Sequence, residues 1–203
     1  MSNATQSLAG TRITSLLDAN SFVEIGQGVT ARSTDFNMTA NKAPSDGVIT
    51  GYGVIDDKLV YVYSQDASVL NGTVGEMHAK KITRLYDLAM KTGAPVIGLV
   101  DCAGIRLQEA TDALEAFGQI YLKQTLASGV IPQIQAVFGN CGGGMAVASE
   151  MADFTFMEQE AKMFVNAPFV IAENDADNSS AEYQAKETGN VCATGSEKEI
   201  FTE

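Results

Sequence analysis

Two glycine-bearing segments carry the residue types and spacing that could do chemistry. Asp101–Glu109 reads D-C-A-G-I-R-L-Q-E and follows the apolar run Pro95–Val100, while Gly139–Met145 reads G-N-C-G-G-G-M and follows Ile134–Phe138. Each segment lies where a buried strand should end and a helix should begin, and backbone N–H groups are unpaired at such a junction. Two converging N–H groups would form an oxyanion hole, which suits the negative oxygen of a thioester enolate.

Each segment also has a plainer interpretation. A lone D-x-x-G sequence is usually an ordinary strand-to-helix turn, and the Gly142–Gly144 run can serve the close packing of a helix on a sheet. Gly139–Gly143 also fits a nucleophile elbow with Cys141 as nucleophile, but hydrolases of that kind place a histidine after the nucleophile. The only histidine is His78, which lies upstream and which we expect to be structural. This scarcity of histidine argues against metal catalysis and a histidine base.

Charged side chains near these segments have two interpretations. Arg106 could clamp a phosphate group, although its spacing favours an ion pair with Glu109. Lys80 and Lys81 are most simply a solvated helix face. One of these two lysines, together with Lys42, could instead reach a nucleotide phosphate.

Composition limits the class of protein. The chain has 203 residues, 45% of them hydrophobic and 19% charged, as expected for one globular domain with a sizeable core. Its net charge is −12 without a visible basic stripe, so we expect no nucleic-acid binding. Three cysteines without a C-x-x-C pair favour a reduced, cytoplasmic protein without structural zinc. No apolar run reaches the roughly 18 residues that span a bilayer, and no signal peptide is visible.

The apolar pattern predicts the elements that position both segments. Residues 1–10 are expected to be flexible or a cloning remnant, 11–203 a single domain, and 30–45 a loop. We predict helices over Thr11–Asp18, Thr73–Lys91, Ala113–Ser128 and Gly144–Met151. We predict strands over Gly47–Val54, Lys58–Tyr63, Val96–Val100, Ile134–Phe138, Phe154–Met157 and Met163–Val165. Strands that feed helices indicate an α/β protein, and from Asn174 onwards the pattern degrades, with no closing helix predicted.

Several motifs resemble, in one order, the N-terminal half of the carboxyltransferase family of biotin-dependent acyl-CoA carboxylases and decarboxylases. They include S-D-G-V-I-T-G-Y-G, G-E-M-H-A-K-K-I, K-T-G-A-P-V-I-G-L and M-F-V-N-A-P. The resemblance runs from about Ala9 to Gly195 and rests on Ser45–Gly53, Ser64–Asp66, Gly75–Ile82, Lys91–Leu99, Leu126–Ile134, Gly142–Gly144 and Met163–Pro168.

The resemblance implies a crotonase-like (ClpP/crotonase) spiral of ββα units whose oxyanion hole binds the thioester oxygen of an acyl-CoA. It implies transfer of a carboxyl group between the carbon next to the thioester and a biotin on a carrier protein, without an obligatory acid–base side chain. The N–H of Ile105, after Gly104, would be one donor. An N–H within Gly142–Gly144 would be the other, with Gly143 preferred over Gly144. We predict that Gly142, Arg106 and Lys42 bind coenzyme A.

This sequence departs from the family pattern D-S-G-G-A-R-I-Q-E at Cys102, Ala103 and Ile105. A branched side chain at Ile105 keeps the donor N–H but narrows the space beside the acyl carbon, as in decarboxylase relatives. Asn140, Met145 and Ala167 also depart from the pattern, so the acyl specificity of relatives is not transferred to this chain.

The resemblance also implies a second, biotin-side half that this sequence does not contain. We therefore expect a partner half or subunit, a biotin carboxyl carrier protein and a homo- or hetero-oligomer. One alternative is a biotin-independent crotonase-type decarboxylase or hydratase, although a hydratase needs two glutamates and only Glu109 is near the site. The other alternative is a catalytically silent acyl-CoA-binding or assembly subunit.

Overall fold

A computed structural model describes residues 7–32, 43–170 and 177–203 of the chain. These residues form an α/β structure, as the sequence predicts, and their single sheet has eight strands where six were predicted. The strands are β1 Val23–Ile25, β2 Val48–Ile55, β3 Lys58–Gln65, β4 Val96–Cys102, β5 Gln133–Gly142, β6 Phe154–Glu158, β7 Lys162–Phe164 and β8 Ala193–Gly195. The helices are α1 Leu8–Leu16, α2 Glu76–Thr92, α3 Ala110–Ala127, α4 Gly144–Glu150, α5 Ala181–Tyr183 and α6 Glu197–Ile200.

The sheet changes from antiparallel to parallel pairing along its width. The strand order is β1-β2-β3-β4-β5-β6-β8, with β1–β3 antiparallel and the pairs from β3 onwards parallel. β5 is long enough to pair with β6 through Ile134–Val137 and then with β7 through Asn140–Gly142. Because β4 and β5 run parallel and adjacent, the segments that follow them leave the same edge of the sheet.

The two faces of the sheet are covered differently. α2 and α3 cover one face with a large apolar cluster that includes Ile82, Leu85, Phe117 and Ile120. The other face has a smaller cluster that includes Ile13 of α1 and Ile200 of α6. Burying these apolar side chains is the main favourable term in folding.

The predicted helices and strands are largely confirmed, and the differences have physical causes. The hairpin turns at Asp56 and Asp57, which have positive φ of 49° and 61° as tight hairpins require. α2 begins at Glu76 rather than Thr73, because Val74 is paired as extended backbone with Ile105. The predicted loop over 30–45 lies mostly outside the described residues.

Both ends of the chain differ from the prediction. α1 begins at Leu8 with a cap from Ser7, so the boundary expected at residue 10 is too late. A short closing helix, α6, is also present, and Ser196 and Glu199 cap it reciprocally. Among the described residues, no helix is long and apolar enough to cross a membrane.

Two glycines with left-handed backbone provide a matched test of how tightly the sheet edge is packed. A Cβ at Gly72 (φ +63°) would lie 2.1 Å from the Asp101 carbonyl oxygen, whereas a Cβ at Gly93 (φ +70°) would meet nothing within 4 Å. Gly93→Ala should cost about 1–2 kcal/mol, from the left-handed backbone alone. Gly72→Ala should cost about 3 kcal/mol or more, since the overlap adds to that penalty. Urea unfolding measures both, and equal losses would contradict the close packing at Gly72.

Candidate active site at the ends of two parallel strands

The Ile105 amide is held in place by an isolated backbone pairing. Val74 and Ile105 form a parallel bridge in which the Val74 N–H donates to the Gly104 carbonyl and the Arg106 N–H donates to the Val74 carbonyl, both at 2.9 Å. In such a bridge the central residue's own N–H and C=O point away from the partner strand. The Ile105 N–H therefore points away from Val74, and among the described residues it has no hydrogen-bond acceptor.

The second segment lies directly against the first. A Cβ at Gly104 (φ +117°) would lie 3.2 Å from the Gly142 carbonyl oxygen and 3.9 Å from the Gly143 nitrogen. A Cβ at Gly142 would lie 2.8 Å from the Ala103 carbonyl oxygen. Any side chain at these glycines would thus separate the two segments, so they converge as the sequence suggests.

The choice of Gly143 as second donor needs correction. In this structure the Gly143 N–H donates to the Phe164 carbonyl at 2.8 Å, so it is not free for a ligand. Gly143 instead supplies the turn, with φ +58° and ψ −126°, that starts α4. Gly144 is the first residue of α4, and its N–H has no acceptor within the helix. Gly144 is therefore the better candidate for the second donor.

The expected role of Arg106 in cofactor binding also needs correction, while its ion pair with Glu109 is confirmed. Arg106 is 1% exposed, and its guanidinium donates to Glu109 Oε1 at 2.9 Å, the Asp46 carbonyl at 2.9 Å and the Thr73 carbonyl at 2.6 Å. A guanidinium committed to buried acceptors cannot also clamp a phosphate. Lys42, the other expected cation, lies outside the described residues.

Glu109 is a structural residue in this fold. Besides the ion pair, its Oε2 accepts the Glu76 N–H at 2.6 Å and so caps the start of α2. Negative charge at a helix N-terminus is favourable because it satisfies unpaired N–H groups and opposes the helix dipole. The carboxylate that the hydratase alternative requires is thus already bound within the protein.

The two cysteines beside the site are buried and poorly nucleophilic. Cys102 and Cys141 are both 0% exposed and are neighbours across β4 and β5. Burial raises the pKa of Cys102 to about 12, and burial also raises the pKa of Cys141 well above its usual range. Because the thiolate is the reactive form, the nucleophile-elbow interpretation fails.

A buried polar cluster lies beneath the first segment. His78 Nδ1 is 3.1 Å from the Asp46 carbonyl oxygen and His78 Nε2 is 3.2 Å from Gln65 Nε2, which is consistent with a neutral ring that donates at Nδ1 and accepts at Nε2. Lys81 is paired with Asp46 at 3.2 Å and is 9% exposed, so the prediction that it lies on a solvated face is wrong. Lys80 is exposed, as predicted, and pairs with Glu76.

Sequence reasoning missed the segment that orients Ile105. Nothing in the sequence indicated that Leu70–Val74 would lie against the Asp101–Glu109 segment. Leu70 and Asn71 both have positive φ, near 50°, which side-chain-bearing residues seldom adopt. Leu70, Asn71, Thr73, Ile105, Leu107 and Gln108 line a cleft of 200 Å³ beside the Ile105 backbone. Among the described residues, no cluster of His, Cys, Asp or Glu could hold a metal ion.

Comparison with known sequences finds a family that matches most of the chain. Residues 3–197 match the family model of the carboxyl transferase domain. The propionyl-CoA carboxylase beta chain of Roseobacter denitrificans is 46% identical over 172 residues, which cover 84% of this chain and 34% of that protein. The methylmalonyl-CoA decarboxylase alpha subunit of Veillonella parvula is 45% identical over 172 residues, with the same coverage of 84% and 34%. This chain spans about a third of the length of the curated relatives it matches.

A solved structure shows the same fold. A crystal structure of transcarboxylase 12S, described as a hexamer with hydrolysed methylmalonyl-coenzyme A bound, matches with a TM-score of 0.92 and 33% identity. The match covers 96% of this chain and 40% of that one. The predicted crotonase-like fold is thereby confirmed.

The His78 environment predicts how stability depends on pH. Burial first, and the positive charge of Arg106 second, hold the pKa of His78 well below its usual range. Below about pH 6.5 His78 gains a proton in the unfolded chain but stays neutral in the folded protein. The free energy of unfolding therefore decreases as the pH falls below this value.

We expect the free energy of unfolding to fall by about 1 kcal/mol between pH 7 and 5.5 because of His78. His78→Gln should lower the free energy of unfolding at both pH values but remove the part of its pH dependence that comes from His78. Urea unfolding at the two pH values measures the difference. An unchanged pH dependence in the variant would mean that the pKa of His78 is the same in the folded protein and the unfolded chain, which would contradict the burial effect.

Proposed function

This chain belongs to the carboxyl transferase domain family, and we propose that its Ile105–Gly144 site binds the thioester oxygen of an acyl-CoA during transfer of a carboxyl group. One observation carries the proposal: the Ile105 N–H has no acceptor among the described residues, is fixed by Val74 and lies beside a second glycine segment. In this arrangement Gly104 permits the turn, and Ile105 and Gly144 supply the two N–H donors. Gly142 allows the two segments to approach each other.

The chemistry fits a site made of backbone donors. Removing or adding a carboxyl group at the carbon next to a thioester places negative charge on the thioester oxygen. Donors already oriented towards that oxygen stabilise the enolate without reorganising during the reaction. The charged and thiol side chains around the first segment, Cys102, Arg106 and Glu109, are buried and otherwise engaged, so we assign them no proton transfer.

Relatives suggest the substrate class. The similar proteins are named for propionyl-CoA and methylmalonyl-CoA, and we propose a short acyl-CoA of this kind for this chain. The cleft of 200 Å³ beside Ile105 includes Leu70 and Leu107, which suits a small apolar acyl group. The same enolate forms whether the carboxyl group is added or removed, so the proposed site serves both directions.

The partner assignments follow from the family. We propose that a biotin on a carrier protein supplies or accepts the carboxyl group, and that a second carboxyltransferase half provides its site. The described residues present one pair of candidate donors, and we assign this pair to the thioester oxygen. The site for biotin is therefore assigned to the other half. Oligomers are described for structural neighbours, a hexamer for one and a hetero-tetramer for another. The cytoplasmic location expected from the cysteines stays a prediction.

The Ile105 N–H can be tested with a substitution that eliminates it. Since the bridge hydrogen bonds join Val74 to the Gly104 carbonyl and to the Arg106 N–H, Ile105→Pro removes the Ile105 N–H without removing a bridge hydrogen bond. Calorimetry would compare propionyl-CoA with S-propyl-CoA, a thioether without the carbonyl oxygen. We expect micromolar binding of the thioester, or about −8 kcal/mol. Ile105→Pro should weaken it about 10-fold and leave the thioether unchanged.

Ile105→Val is the matched control, because it shortens the side chain and keeps the N–H. If the Pro and Val variants bind the thioester equally well, the Ile105 amide is not a donor. Binding of both ligands without preference for the thioester would favour a silent CoA-binding subunit. No binding of acetyl-, propionyl-, malonyl- or methylmalonyl-CoA by the unaltered chain would refute the half-site for this chain alone.

A further inference from the structure

Arg106 connects three segments that are far apart in sequence. Its guanidinium donates to carbonyl oxygens of Asp46 and Thr73 and to the Glu109 carboxylate, and its Nε lies 3.4 Å from Thr73 Oγ1. The side chain is 1% exposed. Without the guanidinium, the buried Asp46 carbonyl and Glu109 Oε1 and the part-buried Thr73 carbonyl would each lose a donor, which makes the position sensitive to substitution.

Two of these contacts act directly on the strand that orients Ile105. Thr73 immediately precedes Val74, and Val74 is the residue paired with Ile105. Arg106 therefore holds this short strand through three contacts: its own N–H to the Val74 carbonyl at 2.9 Å, and its guanidinium to the Thr73 carbonyl at 2.6 Å and to Thr73 Oγ1 at 3.4 Å. The direction of the Ile105 N–H depends on the same strand.

Glu109 fixes the far end of the segment. It lies three residues after Arg106, and its carboxylate bonds both to the guanidinium and to the Glu76 N–H at the start of α2. A Cβ at Gly75 would lie 2.4 Å from Glu109 Oε1, so the carboxylate is seated against α2 backbone. The Glu109 carboxylate thus connects Arg106 in the first segment to the start of the long helix α2.

We propose that Arg106, with Glu109, is the positioning residue that aims the Ile105 N–H at the thioester oxygen. The ligand in this proposal, an acyl-CoA thioester, rests on the proposed function. The contacts of Arg106 do not depend on it. A planar guanidinium can bond several carbonyl groups in fixed directions, whereas a lysine ammonium is a point charge on a flexible stem. Arg106→Lys should therefore keep the positive charge but lose the alignment of the Ile105 N–H with the thioester oxygen.

The experiment measures preference for thioester over thioether, since a general structural defect would weaken both ligands alike. The affinities of propionyl-CoA and S-propyl-CoA are compared for the unaltered chain and for Arg106→Lys. We expect a ratio of about 10 in the unaltered chain, falling towards 1 in the variant. Affinity for the thioether should change less than about 2-fold, because it uses no oxyanion donor.

The control removes another buried cation from the same cluster. Lys81 pairs with Asp46 and bonds the Val48 carbonyl, but it has no hydrogen bond to Asp101–Glu109. The double variant Asp46→Asn, Lys81→Met removes both charges and keeps the Asp46 carbonyl that Arg106 bonds. It should lose stability but retain the thioester preference.

Amide hydrogen exchange without ligand supplies an independent readout. The Val74 N–H, which donates to Gly104, should lose protection about 10-fold or more in Arg106→Lys, while Ile120 in α3 stays protected. Should Arg106→Lys not fold, Glu109→Gln weakens the same tie while keeping an amide oxygen as acceptor, and a reduced thioester preference is expected.

The outcomes separate the two proposals. If Ile105→Pro abolishes the thioester preference and Arg106→Lys leaves it intact, the positioning role is refuted and the half-site stands. If the unaltered chain shows no preference, the proposed function falls. Hydrogen exchange at the Val74 N–H then tests the positioning role by itself. Unchanged protection of this N–H in Arg106→Lys would refute that role.

Discussion

The pairing of Val74 with Ile105 is the interaction on which the candidate site depends. One bridge of two backbone hydrogen bonds decides which way the Ile105 N–H points. The pairing is possible because Leu70–Gly72 turns with positive φ at three successive residues. Gly72 then lies against Asp101, where a side chain would overlap with backbone. The unfavourable turn thus serves to bring a third segment to the edge of the sheet.

Much of the fold could be predicted because it follows from local patterns. The hairpin turn at Asp56 and Asp57, the αL end of α2 at Gly93 and the apolar runs of β4 and β5 are all visible in the sequence. The position of both glycine segments also followed, since parallel neighbouring strands end at one edge. Lys81 was misjudged because helical spacing alone does not show that Asp46 would be buried beside it.

The finer geometry of the site could not be predicted, since it depends on contacts between distant segments. Gly143 was the preferred second donor within the Gly142–Gly144 run that the family resemblance implies. Its N–H is paired because β5 extends past β6 and meets β7, which brings the Phe164 carbonyl within reach. Likewise, the spacing of Arg106 and Glu109 predicted their ion pair but not the carbonyl groups of Asp46 and Thr73 that complete the contacts.

The electrostatics of the site follow from how these buried charges are matched. Arg106 is paired with Glu109, Lys81 with Asp46, and Arg12 with Asp101 and Glu197, so each buried cation near the first segment has a carboxylate partner. Such pairs offer little net charge to a ligand, and an unpaired buried charge would be costly. In the proposed site the positive partial charge comes from backbone N–H groups, which are fixed in direction and cannot be lost by titration. A site of this kind stabilises charge that develops on an oxygen during reaction, and it leaves recognition of a substrate's permanent charges to other parts of the protein.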